Sequence, residues 1–284
     1  MIHLLWGDVS QAIEALRPHA PTLVIADPNW SYTNTGGQSG KFRGTSRKMY
    51  GEMGMVEIAG ILDAAWDVAA PHSYLCLWAT SPLLAEIFAA MATTRWRYLT
   101  KGDWHKVRAT IGVGFHVRSE LEPWLLFGKG APRPSVRKLL SYQAGPVADR
   151  TEKPEVVVSN IIRCLTSPGD WVGSLWSGRA PELRACASLG RNAIGAEIDR
   201  WAWVQAGVRL EALGAPPPPV EGWLYAWARL TLARQKTTDL VELMSLAGCD
   251  EGGVEALKER GGIVATDDGR FRLVRSPPRW GREG

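Results

Sequence analysis

The sequence has few of the residues that build disulfide frameworks or metal centres. Only four of the 284 residues are cysteine, and Cys76, Cys164, Cys186 and Cys249 are widely spaced with no C-x-x-C pair. The five histidines form no cluster with the spacing of metal ligands. We therefore expect reduced thiols, as in a cytoplasmic protein, and no structural metal.

Long hydrophobic runs are also missing. The most apolar segment, residues 73–91, is interrupted by Thr80, Ser81, Pro82 and Glu86. The N-terminus carries no basic stretch followed by an apolar leader. Because a membrane-spanning helix needs about 20 mostly apolar residues, we expect a soluble protein with no membrane partner.

The composition indicates a folded chain with a modest positive charge. Hydrophobic residues make up 45% of the sequence, which is ample for the core of one medium-sized domain plus a small module. The formal net charge of +4 permits a polyanionic partner but does not require one.

Strand-like and helix-like patterns alternate through the first 213 residues. Predicted strands lie at residues 2–6, 23–27, 73–79, 95–100, 121–127, 170–176 and 192–197, and predicted helices at 9–16, 56–69, 82–93, 154–165, 180–189 and 199–213. Such alternation predicts an α/β fold, a mostly parallel Rossmann-like sheet covered by helices on both faces.

A run of four prolines at residues 216–219 predicts a stiff spacer between two domains. We place the first domain at residues 1–215, a small second domain at 220–276 and a basic tail at 277–284. Three helical patterns and a hairpin signal in the second domain predict a winged-helix-like module. Residues 220–284 hold ten basic and ten acidic side chains, so both DNA contact and pairing in a homodimer stay open.

A loop of distinctive chemistry follows the apolar strand at 23–27: Asp27-Pro28-Asn29-Trp30. Exocyclic amines of bases are poor nucleophiles because their lone pair is delocalised, and the Asp27 carboxylate and Pro28 carbonyl could accept their N–H bonds. Trp30 offers a flat apolar face for a base, with a place in the core as the alternative. Asn29 either contacts a base or caps a turn.

The segment after this loop, residues 33–48, is rich in glycine and basic residues and contains no acid. It is either a cationic loop that closes over a nucleic-acid backbone or an ordinary surface loop. The candidate substrate-binding residues in this segment and directly before it are Tyr32, Lys41, Arg43, Arg47 and Lys48.

A second constellation lies between residues 151 and 199. Its order is strand, glycine turn, helix, strand and acid, with Gly178 at the turn and Glu197 at the end of the second strand. Gly178 would let the backbone approach a ligand, and the Glu197 carboxylate could hold two ribose hydroxyls. The sequence thus predicts a nucleoside-binding turn.

Taken together, these motifs resemble the amino-methyltransferases of DNA, in particular the permuted beta group of bacterial modification enzymes and phages. The resemblance covers residues 2–213 and rests on the opening strand with Gly7-Asp8, the early Asp-Pro loop, the Lys153-Pro154 helix start and the late glycine turn. The chain is also similar to adenine-N6 methyltransferases with an Asp-Pro-Pro-Trp loop, including the messenger-RNA writers.

This resemblance implies an S-adenosylmethionine-dependent DNA methyltransferase, favouring adenine N6, in a bacterial or phage-infected cell. Cytosine N4, an RNA substrate and a catalytically inactive nucleic-acid-binding relative stay open. No Pro-Cys pair is present, which argues against carbon-5 chemistry. The implied roles are catalysis for Asp27, Pro28, Asn29 and Trp30; cofactor binding for Asp8, Lys153, Pro154, Ser177, Gly178 and Glu197; and substrate binding for Arg118 and Glu122, which order the site or pair with each other.

The chain departs from the family pattern in two places. Asn29 stands where the family loop has a second proline. In the cofactor turn, Ser174 replaces the first acid and Ala180 the last glycine, with Arg179 between Gly178 and Ala180.

Overall fold

The computed structural model describes residues 1–30, 53–107, 120–136, 142–146, 152–217, 222–233 and 237–274. The chain divides into two compact units, Met1–Asp199 and Arg200–Gly284. Within the described ranges, no helix combines the length and the apolar character needed to cross a membrane.

The first unit is built on one mixed sheet of eight strands in the order β1-β8-β7-β2-β3-β5-β4-β6. Strand β5 runs antiparallel to both of its neighbours, and every other adjacent pair is parallel. The strands are β1 (Ile2–Trp6), β2 (Leu23–Ala26), β3 (Ser73–Trp78), β4 (Arg97–Val107), β5 (Leu121–Lys129), β6 (Tyr142–Pro146), β7 (Trp171–Leu175) and β8 (Asn192–Glu197).

Helices cover both faces of this sheet, as the sequence predicts. The α-helices of the first unit are α1 (Val9–Leu16), α2 (Met55–Val68), α3 (Leu84–Met91), α4 (Glu155–Leu165) and α5 (Pro181–Leu189). Helices α1, α2 and α3 share one core with alternate strand residues such as Val24, Leu75 and Leu175. Because neighbouring strand residues point to opposite faces, Ser174 faces the other side, where α5 contacts the sheet and packs on α4.

The sheet extends further than the sequence patterns predict. Strand β4 continues to Val107 although its second half carries Lys101, Gly102 and Asp103, because it stays paired with β5. A Cβ at Gly102 would lie 2.0 Å from the Trp124 ring, so glycine is required there. Strand β6 was not predicted because it contains glycine and proline, which strands disfavour except at a sheet edge, where β6 lies.

The second unit contains α6 (Arg200–Glu211), α7 (Gly222–Ala233), α8 (Leu240–Ala247) and α9 (Glu251–Glu259), with short strands β9 (Thr237–Thr238), β10 (Ile263–Ala265) and β11 (Phe271–Leu273). The strands form an antiparallel sheet in the order β10-β11-β9. Within this unit, α6 packs on α7 with the Trp201 and Trp227 ring centroids 3.9 Å apart, and the division of the chain at residues 215–220 stays a prediction. The winged-helix assignment stays a prediction.

Candidate active site

The two constellations singled out in the sequence meet at one edge of the sheet. Asp27 follows β2, the Gly178 turn follows β7, and Glu197 ends β8. These strands are neighbours and parallel, so their carboxyl ends lie side by side. The Asp27 backbone N–H donates to the Leu175 carbonyl at 3.3 Å. Ligands of open α/β sheets bind at this edge, so the fold places both constellations where one site can use them.

Backbone hydrogen bonds hold the Asp27 loop in place. The N–H of Trp30 donates to the Pro28 carbonyl at 3.0 Å, and the N–H of Met53 donates to the Asn29 carbonyl at 3.3 Å. A carbonyl oxygen has two lone pairs, so the Pro28 carbonyl keeps capacity for one more donor. Trp30 is half-buried and packs against the core that lies under α1 and α2. It therefore has a structural contact in addition to any ligand contact.

A chain of alternating charges runs into the loop. The Lys153 Nζ lies 2.5 Å from Asp27 Oδ2 and 3.0 Å from Glu122 Oε1, and the Lys106 Nζ lies 2.5 Å from Glu122 Oε2. We call Lys106, Glu122, Lys153 and Asp27 the ion chain. The Lys153 side chain is only 8% exposed. Lys153, which the resemblance implies near the cofactor, is thus placed directly on the candidate catalytic carboxylate.

Burial and pairing act differently on the members of the ion chain. Burial raises the pKa of Asp27, an effect that Lys153 opposes and the nearby Glu122 carboxylate reinforces. Burial also acts to raise the pKa of Glu122, but the two lysines outweigh it and hold that pKa below its usual value. Burial acts to lower the pKa of Lys153, but the Asp27 and Glu122 carboxylates outweigh it, so the ammonium stays charged. Asp27 lies at the end of the ion chain, beside Lys153 alone, whereas Glu122 lies between two lysines. Of the two carboxylates, Asp27 is therefore the one that is more easily protonated.

Two tryptophans flank the lysines of the ion chain. Lys153 Nζ lies 5.2 Å from the Trp78 ring centroid, and Lys106 Nζ lies 5.1 Å from that of Trp104. The sequence did not place Lys106, Trp78 or Trp104 in the site. Extending the β4 prediction to residue 107 would have brought Lys106 to the site edge, because β4 runs parallel to β3 across the intervening β5.

The cofactor half centres on Glu197, which is buried. Its Oε2 accepts from the Gly178 N–H and its Oε1 from the Asp199 N–H, each at 2.7 Å. Burial raises the pKa of Glu197, and these hydrogen bonds oppose that effect. A carboxylate offers about four acceptor sites, so Glu197 keeps acceptor capacity for a hydroxyl donor. Asp8 follows β1, whose last residue, Trp6, pairs with Glu197 in the sheet. The Asp8 carboxylate caps α1 by accepting a hydrogen bond from the Ser10 N–H at 2.8 Å.

The turn after β7 has an unusual backbone. Trp176, Gly178 and Ala180 have φ angles of 60°, 53° and 54°, in the left-handed region that favours glycine. A Cβ built at Gly178 would meet no described atom within 4 Å, so the backbone is open on that side. An open glycine turn beside a carboxylate with spare acceptors fits the adenosyl group of S-adenosylmethionine.

The remaining predicted residues have supporting positions or lie outside the described ranges. Ser177 is buried and its hydroxyl donates to the Ser174 carbonyl at 3.0 Å, so its side chain braces the turn. Pro154 precedes the first residue of α4, and Arg179 Nη1 lies 3.8 Å from a Glu152 carboxylate oxygen. Tyr32, Lys41, Arg43, Arg47, Lys48 and Arg118 lie outside the described residues.

Metal ligands are not grouped in the part of the chain that the structure describes: it contains no set of three or more histidine, cysteine or acidic side chains able to hold an ion. The candidate site consists of the ion chain, the Asp27 loop and the Gly178–Glu197 turn.

The fold of the chain is that of DNA modification methyltransferases of known structure. No protein-family model and no curated protein sequence matches it. The M1.HpyAVI–SAM complex is similar with a TM-score of 0.55 at 16% identity, over 74% of this chain and 99% of that one. TTHA0409 from Thermus thermophilus, provisionally assigned as a DNA modification methylase, gives 0.57 at 18% identity, over 75% and 95%. The cytosine-N4-specific PvuII DNA methyltransferase gives 0.54 at 13% identity, over 80% and 92%.

Proposed function

We propose that the protein is an S-adenosylmethionine-dependent DNA methyltransferase that modifies an exocyclic amine, with adenine N6 favoured. The observation that carries this proposal is the position of the Asp27 loop and the Gly178–Glu197 turn after neighbouring parallel strands. The fold likeness supports it, because M1.HpyAVI and TTHA0409 have each been crystallised with S-adenosylmethionine.

The chain's own residues would orient the amine. The Asp27 carboxylate and the Pro28 carbonyl accept its two N–H bonds and draw the nitrogen towards tetrahedral geometry, which frees its lone pair. S-adenosylmethionine, when bound, supplies an electrophilic methyl group. As the new C–N bond forms, the nitrogen must lose a proton, and its raised pKa makes Asp27 a suitable acceptor. Transfer is direct, with no covalent enzyme intermediate.

In a duplex, the target base would have to leave the helix stack to reach this edge of the sheet. The partly exposed Trp30 would stack on it, and Glu122 would hold the floor of the site through Lys153. The basic residues between 33 and 48, together with Tyr32 and Arg118, would contact the nucleic acid.

Two other functions remain in view. Cytosine N4 is chemically equivalent at the Asp27 loop, and one similar structure is a cytosine-N4-specific enzyme; an RNA amine would be oriented in the same way. A catalytically inactive nucleic-acid-binding subunit is favoured by Asn29, Ser174 and Ala180, which depart from the family pattern.

Methyl transfer to unmodified DNA tests the proposal. The purified protein, incubated with S-adenosylmethionine and long DNA of high sequence complexity, should yield N6-methyladenine after nucleoside digestion and mass spectrometry. N4-methylcytosine would reassign the base. Binding of DNA without binding of S-adenosylmethionine would favour the inactive subunit. Sedimentation of the same sample with and without DNA would separate nucleic-acid contact from homodimer formation.

Gly178→Ala tests the cofactor turn. The φ of 53° is strained for alanine, so we expect unfolding free energy to fall by about 1 kcal/mol. The new methyl group would stand where the backbone approaches the cofactor, so affinity for S-adenosylmethionine should fall by about tenfold or more. Gly190→Ala is the matched control: its φ is 71°, its Cβ would also meet no described atom within 4 Å, and it lies at the far end of α5. Urea unfolding should show that Gly190→Ala loses about as much stability as Gly178→Ala. Calorimetry should show that its affinity for S-adenosylmethionine is unchanged. Equal affinity losses would contradict the assignment.

A further inference from the structure

A buried acid that the site as described does not use lies directly behind the glycine turn. Glu182, in the first turn of α5, is only 4% exposed. Its Oε2 accepts a hydrogen bond from the Ser174 hydroxyl at 3.3 Å, and the Ser177 hydroxyl lies 3.1 Å from that of Ser174. Among the described residues, no lysine or arginine forms a salt bridge with Glu182. The carboxyl group thus hydrogen-bonds to Ser174 at the start of the turn, and in the described part of the chain no cation lies within salt-bridge distance of it.

Ionising a carboxyl group in such a buried position costs free energy. Burial raises the pKa of Glu182 to about 7, with the Asp27 carboxylate adding to the effect and Lys153 and Arg184 opposing it. A glutamine would fill the same volume and could hydrogen-bond Ser174 without the cost of a buried charge. A buried acid with a raised pKa next to a ligand-binding turn is typical of a group that meets a charged ligand.

Ser174 occupies the position at which the family turn carries its first acid. Glu182 lies eight residues later in the sequence, yet its carboxylate Oε2 lies only 3.3 Å from the Ser174 hydroxyl oxygen. We propose that Glu182 replaces that acid and, with the Ser174 hydroxyl, complements the positive charge of bound S-adenosylmethionine. This inference rests on the proposed function and explains how a turn that lacks the usual acid can still hold a cationic cofactor.

Calorimetric titration of S-adenosylmethionine into Glu182→Gln tests the assignment. Loss of a charge-assisted contact should weaken binding roughly ten- to a hundredfold, with thermal stability kept or raised because a neutral amide is cheaper to bury. The double variant Ser174→Asp with Glu182→Gln returns the charge to the family position and should regain most of the affinity. Glu155→Gln is the control, since Glu155 pairs with Arg184 at 3.0 Å and is 41% exposed.

Proton release gives a second readout that packing changes would not produce. Because burial raises the pKa of Glu182 to about 7, part of this carboxyl is protonated at pH 7, and binding of a cationic cofactor beside it should release a fraction of a proton. Calorimetry in buffers of different ionisation enthalpy measures this number, and Glu182→Gln should abolish it. The groups that face Glu182 are Asp27 and Lys153 from the site, Cys76 from β3, and Arg184 and Cys186 from α5. All of them are present in both proteins, so the difference reports Glu182.

The outcomes separate this inference from the function on which it rests. If the wild-type protein does not bind S-adenosylmethionine, the proposed function fails. If the wild type binds and Glu182→Gln binds equally well, or binds weakly but still releases the proton, the role of Glu182 is overturned while the function stands. A double variant as weak as Glu182→Gln alone would assign the loss to packing and would also overturn the role.

Discussion

Asp27→Ala is expected to lower the rate of methyl transfer by roughly 10²- to 10⁴-fold, because it removes the carboxylate that orients the amine and takes its proton. Affinity for S-adenosylmethionine should change little, since the Gly178–Glu197 contact remains. Single-turnover transfer measures the first quantity and calorimetry the second. Asp27→Asn, which keeps one carbonyl acceptor, should retain more activity than Asp27→Ala.

The control for this experiment is Asp67→Ala. Asp67, on α2, also pairs with a cation, lying 2.6 Å from Arg95, but α2 packs beneath the sheet and supplies no candidate site residue. We expect transfer at the wild-type rate. If Asp27→Ala methylates DNA as fast as the wild type, Asp27 has no catalytic role and the loop is structural.

Lys153→Met is expected to be the most destabilising single change, lowering the unfolding free energy by about 3–5 kcal/mol. The ammonium contacts both Asp27 and Glu122, and its removal leaves the half-buried Asp27 carboxylate without the cation that pairs with it. Methionine fills a similar volume beside Trp78, so the loss would be electrostatic more than steric. Urea unfolding at pH 7 measures it.

The pH dependence distinguishes an electrostatic loss from a packing loss. Without Lys153, the folded-state pKa of Asp27, already raised by burial, rises further above its unfolded value. A group whose pKa is raised on folding favours the folded state at low pH and loses that contribution as pH rises through the folded pKa. The deficit of Lys153→Met should therefore shrink between pH 7 and pH 5. A deficit that is constant with pH would mean that packing is responsible.

Two further variants complete this test. Lys101→Met removes a lysine that lies 2.8 Å from Asp103 but is 49% exposed, and should cost under about 1 kcal/mol with no such pH dependence. Adding Glu122→Gln to Lys153→Met removes one of the two carboxylates left behind and should recover part of the stability.

Much of the fold followed from local patterns. The alternating strands and helices of the first unit, the Asp27 loop and the Gly178–Glu197 turn were all predicted, because hydrophobic periodicity and turn chemistry act over a few residues. The predictions failed where neighbours override local preference. Strand β4 runs past Gly102 because β5 pairs with it.

The contacts of the site could not be read in the same way. Lys153 and Asp27 are separated by 126 positions in the chain, and their ion pair exists only because the segment leading into α4 meets the carboxyl end of β2. Glu122 lies near the start of β5, which runs antiparallel to its neighbours β3 and β4. The N-terminal end of β5 therefore lies at the edge of the sheet where the parallel strands end.

By itself, then, the sequence determined which chemical groups the protein has and in which loops they stand, since residue identity and backbone preference are local properties. Only the tertiary structure decided which of these groups lie close enough to form ion pairs or hydrogen bonds with one another. The pairing of Lys153 with Asp27, and the placing of Glu182 behind Ser174, depend on strand order and on burial, and burial is what makes a carboxylate's charge costly enough to need a partner.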